Sequence, residues 1–121
     1  MPLIFDLLDA DMYYYKIVDS YNGEFRTLFH GINGSKILPA GEWLTAEKKE
    51  VSDGGGTKYI SGFHVMRTFY DAKKYLNTKF KNKEFKVIIL CKTEGIRKKE
   101  HSRDDVYLAD KIFIEGAYSN G

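Results

Sequence analysis

Three histidines, one cysteine and two adjacent aspartates are the side chains of this 121-residue chain best suited to chemistry near neutral pH. His30 stands between Phe29 and Gly31, where a glycine lets a ligand come close to the backbone. It is therefore either a ligand contact or a histidine held by structural hydrogen bonds. His64 lies in "YISGFHVM". Counted by twos it shares a face with Gly62 and Met66 and opposes Phe63 and Val65. If those two face the core, His64 faces a cleft or water. Asp104 and Asp105 open a strand, and neighbours on a strand point opposite ways, so they do not divide acid and base roles between them. Asp105 alone is either a solvated carboxylate or a catalytic one. His101-Ser102 offers a nucleophile and a base, but no third group is placed beside them. Cys91 is alone, which excludes an internal disulfide and leaves no zinc-binding set, so no metal is expected. Tyr59, three residues before Gly62, could supply an aromatic wall. Arg67 either reaches a ligand phosphate or stands exposed, and Trp43 reads as a core or groove aromatic.

These residues must be carried by local elements. Pro2 suits the first turn of a short N-terminal helix or arm over residues 1–12. Its Leu3, Ile4, Leu7 and Leu8 would form a lid on the core or the contact of a homodimer. "MYYYKIV" and "EFRTLFHGI" flank Asn22-Gly23, a strong turn dipeptide, and predict a hairpin. "KILPAGEWLTA" is extended but broken at Pro39-Ala40-Gly41, so it belongs at an edge. "SDGGGTK" leads into a strand rather than a helix, which favours a mobile loop over a phosphate cradle. Thr68 and Asp71 have capping-box spacing and start the one main helix, about 69–80. Its apolar stripe is Phe69, Ala72, Tyr75, Leu76 and Phe80. Val87 to Cys91 is apolar on both alternating faces, the pattern of a strand covered on both sides. "VYLADKIFI" closes the fold, with Val106, Leu108, Ile112 and Ile114 inward and Asp110 the exception; residues 116–121 read as a frayed tail. The sum predicts a single α+β domain over 1–121 with mostly antiparallel sheets.

Hydrophobic residues make up 43% and charged residues 30%, an ordinary globular balance. No apolar run approaches the roughly 20 residues of a spanning helix, and the acidic start is a poor signal peptide. With a lone cysteine, this predicts a cytoplasmic protein, in the host cell's cytoplasm if phage-encoded. The net charge of +2 is unevenly spread. Residues 73–103 hold eleven Lys/Arg against three Glu, and residues 1–24 hold five acids against one lysine. The basic stretch is either a solvated face or a nucleic-acid surface, with Tyr70 or Tyr75 available for stacking.

The order of the elements resembles two known groups. One is a set of small phage and bacterial proteins with a "GFH" strand, a "DA..YL" helix, a "V..C...G" strand and a closing "LADKI" strand. Here these are Gly62-Phe63-His64, Asp71-Ala72 with Tyr75-Leu76, Cys91 with Gly95, and Leu108 to Ile112; the likeness spans residues 25–114. It implies a phage-type accessory protein and carries no activity. The second is the catalytic core of ADP-ribosyltransferases of the poly-ADP-ribose polymerase branch. "LFHG" supplies His30 and Gly31, "GFHVM" sets His64 at that family's tyrosine position, and "YDAKKYL" and "IILCKTEG" resemble the helix and strand that follow. "DVYLAD" puts Asp105 where the family has glutamate.

That resemblance implies an ADP-ribosyltransferase-like fold with NAD as the cofactor. His30 and Gly31 would hold the nicotinamide riboside, while the carboxylate would stabilise oxocarbenium-like charge as nicotinamide leaves. The chain departs at two of the three positions. Histidine stacks with less area than tyrosine, although Tyr59 could substitute, and aspartate is a methylene shorter than glutamate. A displacement of about 1 Å can cost about 100-fold in rate. The leading expectation is therefore a non-enzymatic binder of a host protein or a nucleotide-like ligand. An NAD-dependent ADP-ribosyltransferase or NAD hydrolase is the alternative, and nucleic-acid binding through 73–103 the third.

Overall fold

Two strands far longer than the others decide the architecture. The computed structural model describes residues 13–28, 37–47, 50–52, 56, 58–80, 84–99 and 106–117. Within these, nine strands and one helix form: β1 (Tyr13–Tyr21), β2 (Glu24–Arg26), β3 (Ile37–Leu38), β4 (Trp43–Thr45), β5 (Glu50–Ser52), β6 (Lys58–Ile60), β7 (Phe63–Met66), α1 (Phe69–Lys79), β8 (Lys86–Lys98) and β9 (Val106–Ala117). The long β8–β9 hairpin curls until β1 pairs with β8 on one side and with β7 on the other, and β7 pairs with β9. Four antiparallel strands thus close a barrel, in the order β1-β7-β9-β8. The seam between β1 and β7 is thin, a single register pair between Tyr15 and Met66. Short strands extend the barrel's edges: β2 and β3 beyond β1, β4 beyond β9; β5 and β6 form a separate ribbon.

This overturns the expected α+β, ADP-ribosyltransferase-like fold: one short helix lies against a closed β-barrel. The alternation of each segment identifies a strand but says nothing about which distant strand it pairs with, and closure depends only on pairing. Closure also leaves the sheet with two covered faces. Inside lie Tyr14, Val18, Val65, Ile89, Cys91, Ala109, Ile112 and Ile114. Outside, Ala72 and Leu76 of α1 cover Ile17, Met66, Ile88 and Val106. Each fully buried aliphatic side chain contributes roughly 1.5–3 kcal/mol. The helix begins as its sequence predicts, with the Thr68 hydroxyl accepting from the Asp71 N–H at 3.0 Å. Asn22 and Gly23 turn β1 into β2, both at positive φ.

β9 departs from the predicted alternation. Tyr107 and Ala109 pack toward the barrel interior, but so do Ile112 and Ile114, while Val106 joins the helix side. The inward face therefore slips by one residue near Asp110. On β8 the same slip falls between Cys91 and Ile96, around Gly95, although the register stays in step, with Glu94 opposite Lys111 and Ile96 opposite Ala109. Gly95 adopts φ +69°, and a Cβ there would come within 2.7 Å of Asp110 Cβ and Cγ. Asp110 in turn accepts from Arg97 Nη1 at 2.6 Å. Arg97 Nη2 donates to the carbonyls of Ile60 and Ser61 at 3.1 and 3.0 Å, tying the β6–β7 segment to the kink. Pairing of β9 continues through Gly116 and Ala117, the first two residues of the stretch expected to fray.

Candidate functional site

Two surfaces gather chemistry-bearing side chains. The first includes two of the residues singled out in the sequence. His64 opposes Leu108 on β9, and its ring meets the Tyr59 ring edge-on at 6.3 Å and 86°. Lys99 follows the end of β8, where its N–H donates to Val106 O at 3.0 Å. Its ammonium lies 4.9 Å from the Tyr59 centroid. On the inward side of β1, Lys16 Nζ donates to the His64 carbonyl at 3.0 Å and faces the Phe63 ring at 5.8 Å. Burial, and then the positive charges of Lys16 and Lys99, push the His64 imidazole down to about 3. Burial likewise brings Lys16 down to about 8 and raises the Cys91 thiol to about 12.

The sign of the His64 shift fixes an acid-stability behaviour. In the unfolded chain His64 takes up a proton near its ordinary 6.5, whereas the folded chain resists until about pH 3. The unfolded state thus binds more protons between those values, and stability falls as pH drops through that window. At pH 5 the loss is about 2 kcal/mol. Urea unfolding at pH 7 and pH 5 should show this loss in the wild type and a loss smaller by that amount in His64→Phe. An identical pH dependence in the two proteins would remove the assignment.

The second surface is set by register. Across the outer face, Trp43 of β4 stands opposite Phe113 of β9, Phe113 opposite Lys92 of β8, and Lys92 opposite Tyr13 of β1. Four strands thus contribute one row of three aromatics and a lysine. Trp43 and Phe113 rings lie 5.7 Å apart. Lys92 Nζ sits 5.8 Å from the Phe113 centroid and 6.0 Å from that of Tyr13, and 3.5 Å from Glu115 Oε1. In the next row Lys111 stands opposite Glu94, so each lysine of this face has a glutamate beside or across from it. Trp43 remains 43% exposed. Beside it, Ala46 N–H donates to Asp110 O at 2.8 Å, which directs the Leu44 backbone toward β9 and the Trp43 and Thr45 backbones outward. Among the described residues no strand pairs with that outer edge of β4.

The other sequence-named residues are not brought together in the described structure. Arg67 lies over the Tyr14 ring at 5.3 Å, against the interior cluster rather than the Tyr59–His64 pair. His30, Gly31 and Asp105 lie outside the described residues, as do residues 1–12 and most of "SDGGGTK". Within the basic stretch, Lys86 pairs with Asp19 at 2.9 Å, Lys92 with Glu115 and Arg97 with Asp110. Among the described residues no group of three His, Cys, Asp or Glu side chains could hold a metal ion. No described helix is long and apolar enough to cross a membrane. Sequence reasoning missed the aromatic row because its members come from four separated segments. The only local hint was Trp43 on a strand beside Pro39.

Fold and surface together define a small closed antiparallel barrel with a helix on one flank and a solvent-facing aromatic row on another. No protein-family model, curated protein or solved structure matches this chain.

Proposed function

We propose that this is a small non-enzymatic binding protein that takes an extended segment of a partner protein along the open edge of β4, beside the Trp43–Phe113–Lys92–Tyr13 row. The row carries the reading. An exposed tryptophan beside half-buried phenylalanine and tyrosine, with a charged rim, is the composition of energetic centres in protein interfaces. The outward backbone of Trp43 and Thr45 offers the hydrogen bonds that strand addition uses. Charge decides against a polyanion on this face, since its lysines are matched by glutamates and leave no net positive field to attract phosphates. The likeness to phage-type proteins supports a partner in a host cell, and the lone cysteine suits the cytoplasm.

Trp43 is the chain's single tryptophan and so reports directly on its own site. A protein captured from host extract should be released by Trp43→Ala and by Phe113→Ala, each losing at least about tenfold in affinity. It should also shift Trp43 emission to the blue when added to the wild type. Capture that survives both substitutions, or produces no emission change, overturns the reading.

A second reading rests on α1, where Tyr70 is 72% exposed with Lys73 and Lys74 exposed one turn on. Such a face suits single-stranded nucleic acid, a base stacking on Tyr70 and phosphates meeting the lysines. It predicts binding that weakens steeply with salt and is lost in Tyr70→Ala, with Trp43 emission unchanged.

A further inference from the structure

Backbone pairing is uneven around the barrel. β1 pairs with β8 all along Tyr13 to Asp19, β7 with β9 from Phe63 to Met66, and β8 with β9 from Ile89 to Lys98. β1 and β7 meet only where Tyr15 stands opposite Met66. Side chains supply closure where the ladder does not. From inside, Lys16 of β1 reaches the His64 carbonyl at 3.0 Å and faces the Phe63 ring of β7 at 5.8 Å. Arg67, just past β7, lies over the Tyr14 ring of β1 at 5.3 Å. From outside, α1 lies across the junction. Phe69 meets Tyr15 edge-on at 6.1 Å, and the helix shares one apolar cluster with Ile17 of β1 and Met66 of β7.

We propose that the β1–β7 seam is a gate that parts while the other pairings of the barrel hold, with α1 as the strap that keeps it shut. Parting it breaks one point of strand pairing and a few side-chain contacts, whereas every other junction would lose a whole ladder. Lys16 favours the opening, because its ammonium is only 8% exposed and the parted seam returns it to water. α1 follows β7 after Arg67 and Thr68, and its capped start travels with that strand. The helix contacts given up are therefore those to Ile17 and Ile88. The sheet that remains runs β7-β9-β8-β1, with its former interior face uncovered. Cys91, fully buried in the closed barrel, then lies open to small reagents. The gate is separate from the β4 edge, and either stands if the other fails.

Cys91 is the chain's single cysteine, so its alkylation by iodoacetamide reads the opening directly. In the folded wild type it should proceed at least about tenfold faster than global unfolding allows, and depend less on urea. Amide exchange locates the opening. Amides of β7 that face β1 should exchange through it, and those between β8 and β9 only through global unfolding. Tyr15→Cys with Met66→Cys locks the gate, since register partners stand about 4.5–5.5 Å apart at Cα, within a disulfide's reach. In the oxidised variant Cys91 alkylation should fall to the rate set by that variant's own global unfolding. Tyr15→Ala with Met66→Ala, which loses the same side chains without the bridge, should keep the faster route. If the bridged variant does not fold, the two wild-type measurements decide by themselves. Wild-type alkylation with the rate and urea dependence of global unfolding would overturn the proposal. So would a fast route that survives the bridge, or equal protection of the two sets of amides.

Discussion

Lys16→Met should make the protein more stable by about 2 kcal/mol at pH 7, although it deletes a side chain that makes a hydrogen bond. The lysine is only 8% exposed, sits among the inward residues of β1 with Tyr14 and Val18, and is held down to about 8 by burial. Keeping it protonated at pH 7 in the fold, against an ordinary 10.5, costs about 3 kcal/mol. Methionine fills similar volume without a charge. The change leaves the His64 carbonyl without its donor, which returns about 1 kcal/mol of the gain. Replacement of buried charges by apolar residues of like size has the same sign elsewhere. A loss of stability in urea at pH 7 would show that the amine is better satisfied than its one carbonyl and one ring suggest.

The same lysine gives an alkaline signature. Between about pH 8 and 10.5 the unfolded chain holds the Lys16 proton and the folded chain has released it, so the wild type gains stability as pH rises through that window. Cys91 works the other way. Its thiol is raised to about 12 from 9, so the unfolded chain ionises first and stability falls above pH 9. The two slopes oppose each other from pH 9 to 10.5. A net rise is therefore confined to about pH 8–9 in the wild type, and absent in Lys16→Met. In Cys91→Ala it should extend to about 10.5.

How far the sequence spoke can be judged from particular residues. Thr68, Asn22-Gly23 and the run Val87 to Cys91 were legible because each acts within a few residues: a cap, a turn, and a strand apolar on both faces. The covering of both faces was correctly implied, with Ile88 under α1 and Ile89 and Cys91 in the barrel. What covers them was not, since closure comes from β1 choosing β7 and β8 as neighbours. Lys16 was equally hidden. In "MYYYKIV" nothing local distinguishes a lysine aimed at water from one aimed into a barrel, and the register with Ile89 settles it. Tyr59 and His64 were named singly and do meet, whereas Lys99, which completes their cluster, lay unremarked in a basic run. The slip of alternation on β8 and β9 broke the one rule on which the inward list of β9 rested.

That slip exposes the most sensitive backbone position in the barrel. Gly95→Ala should cost about 3 kcal/mol or more. Positive φ accounts for roughly 1–2 kcal/mol of it. The rest is steric and electrostatic. The new Cβ would lie 2.7 Å from Asp110 Cβ and Cγ, so the carboxylate must swing aside and release Arg97. Arg97 would then hold the Ile60 and Ser61 carbonyls without its counter-charge, loosening the segment that carries Tyr59 and His64. Two comparisons decide which effect dominates. Asparagine tolerates left-handed backbone better than alanine but brings the same Cβ, so Gly95→Asn should be nearly as damaging if the clash rules and milder by about 1 kcal/mol if the dihedral does. Adding Asp110→Gly removes the atoms struck. The double variant should then be more stable than the sum of the single losses by about 2 kcal/mol, as contacting residues couple. Additive losses in urea would mean that Asp110 and Gly95 do not collide, and that the kink is held open by something other than this pair.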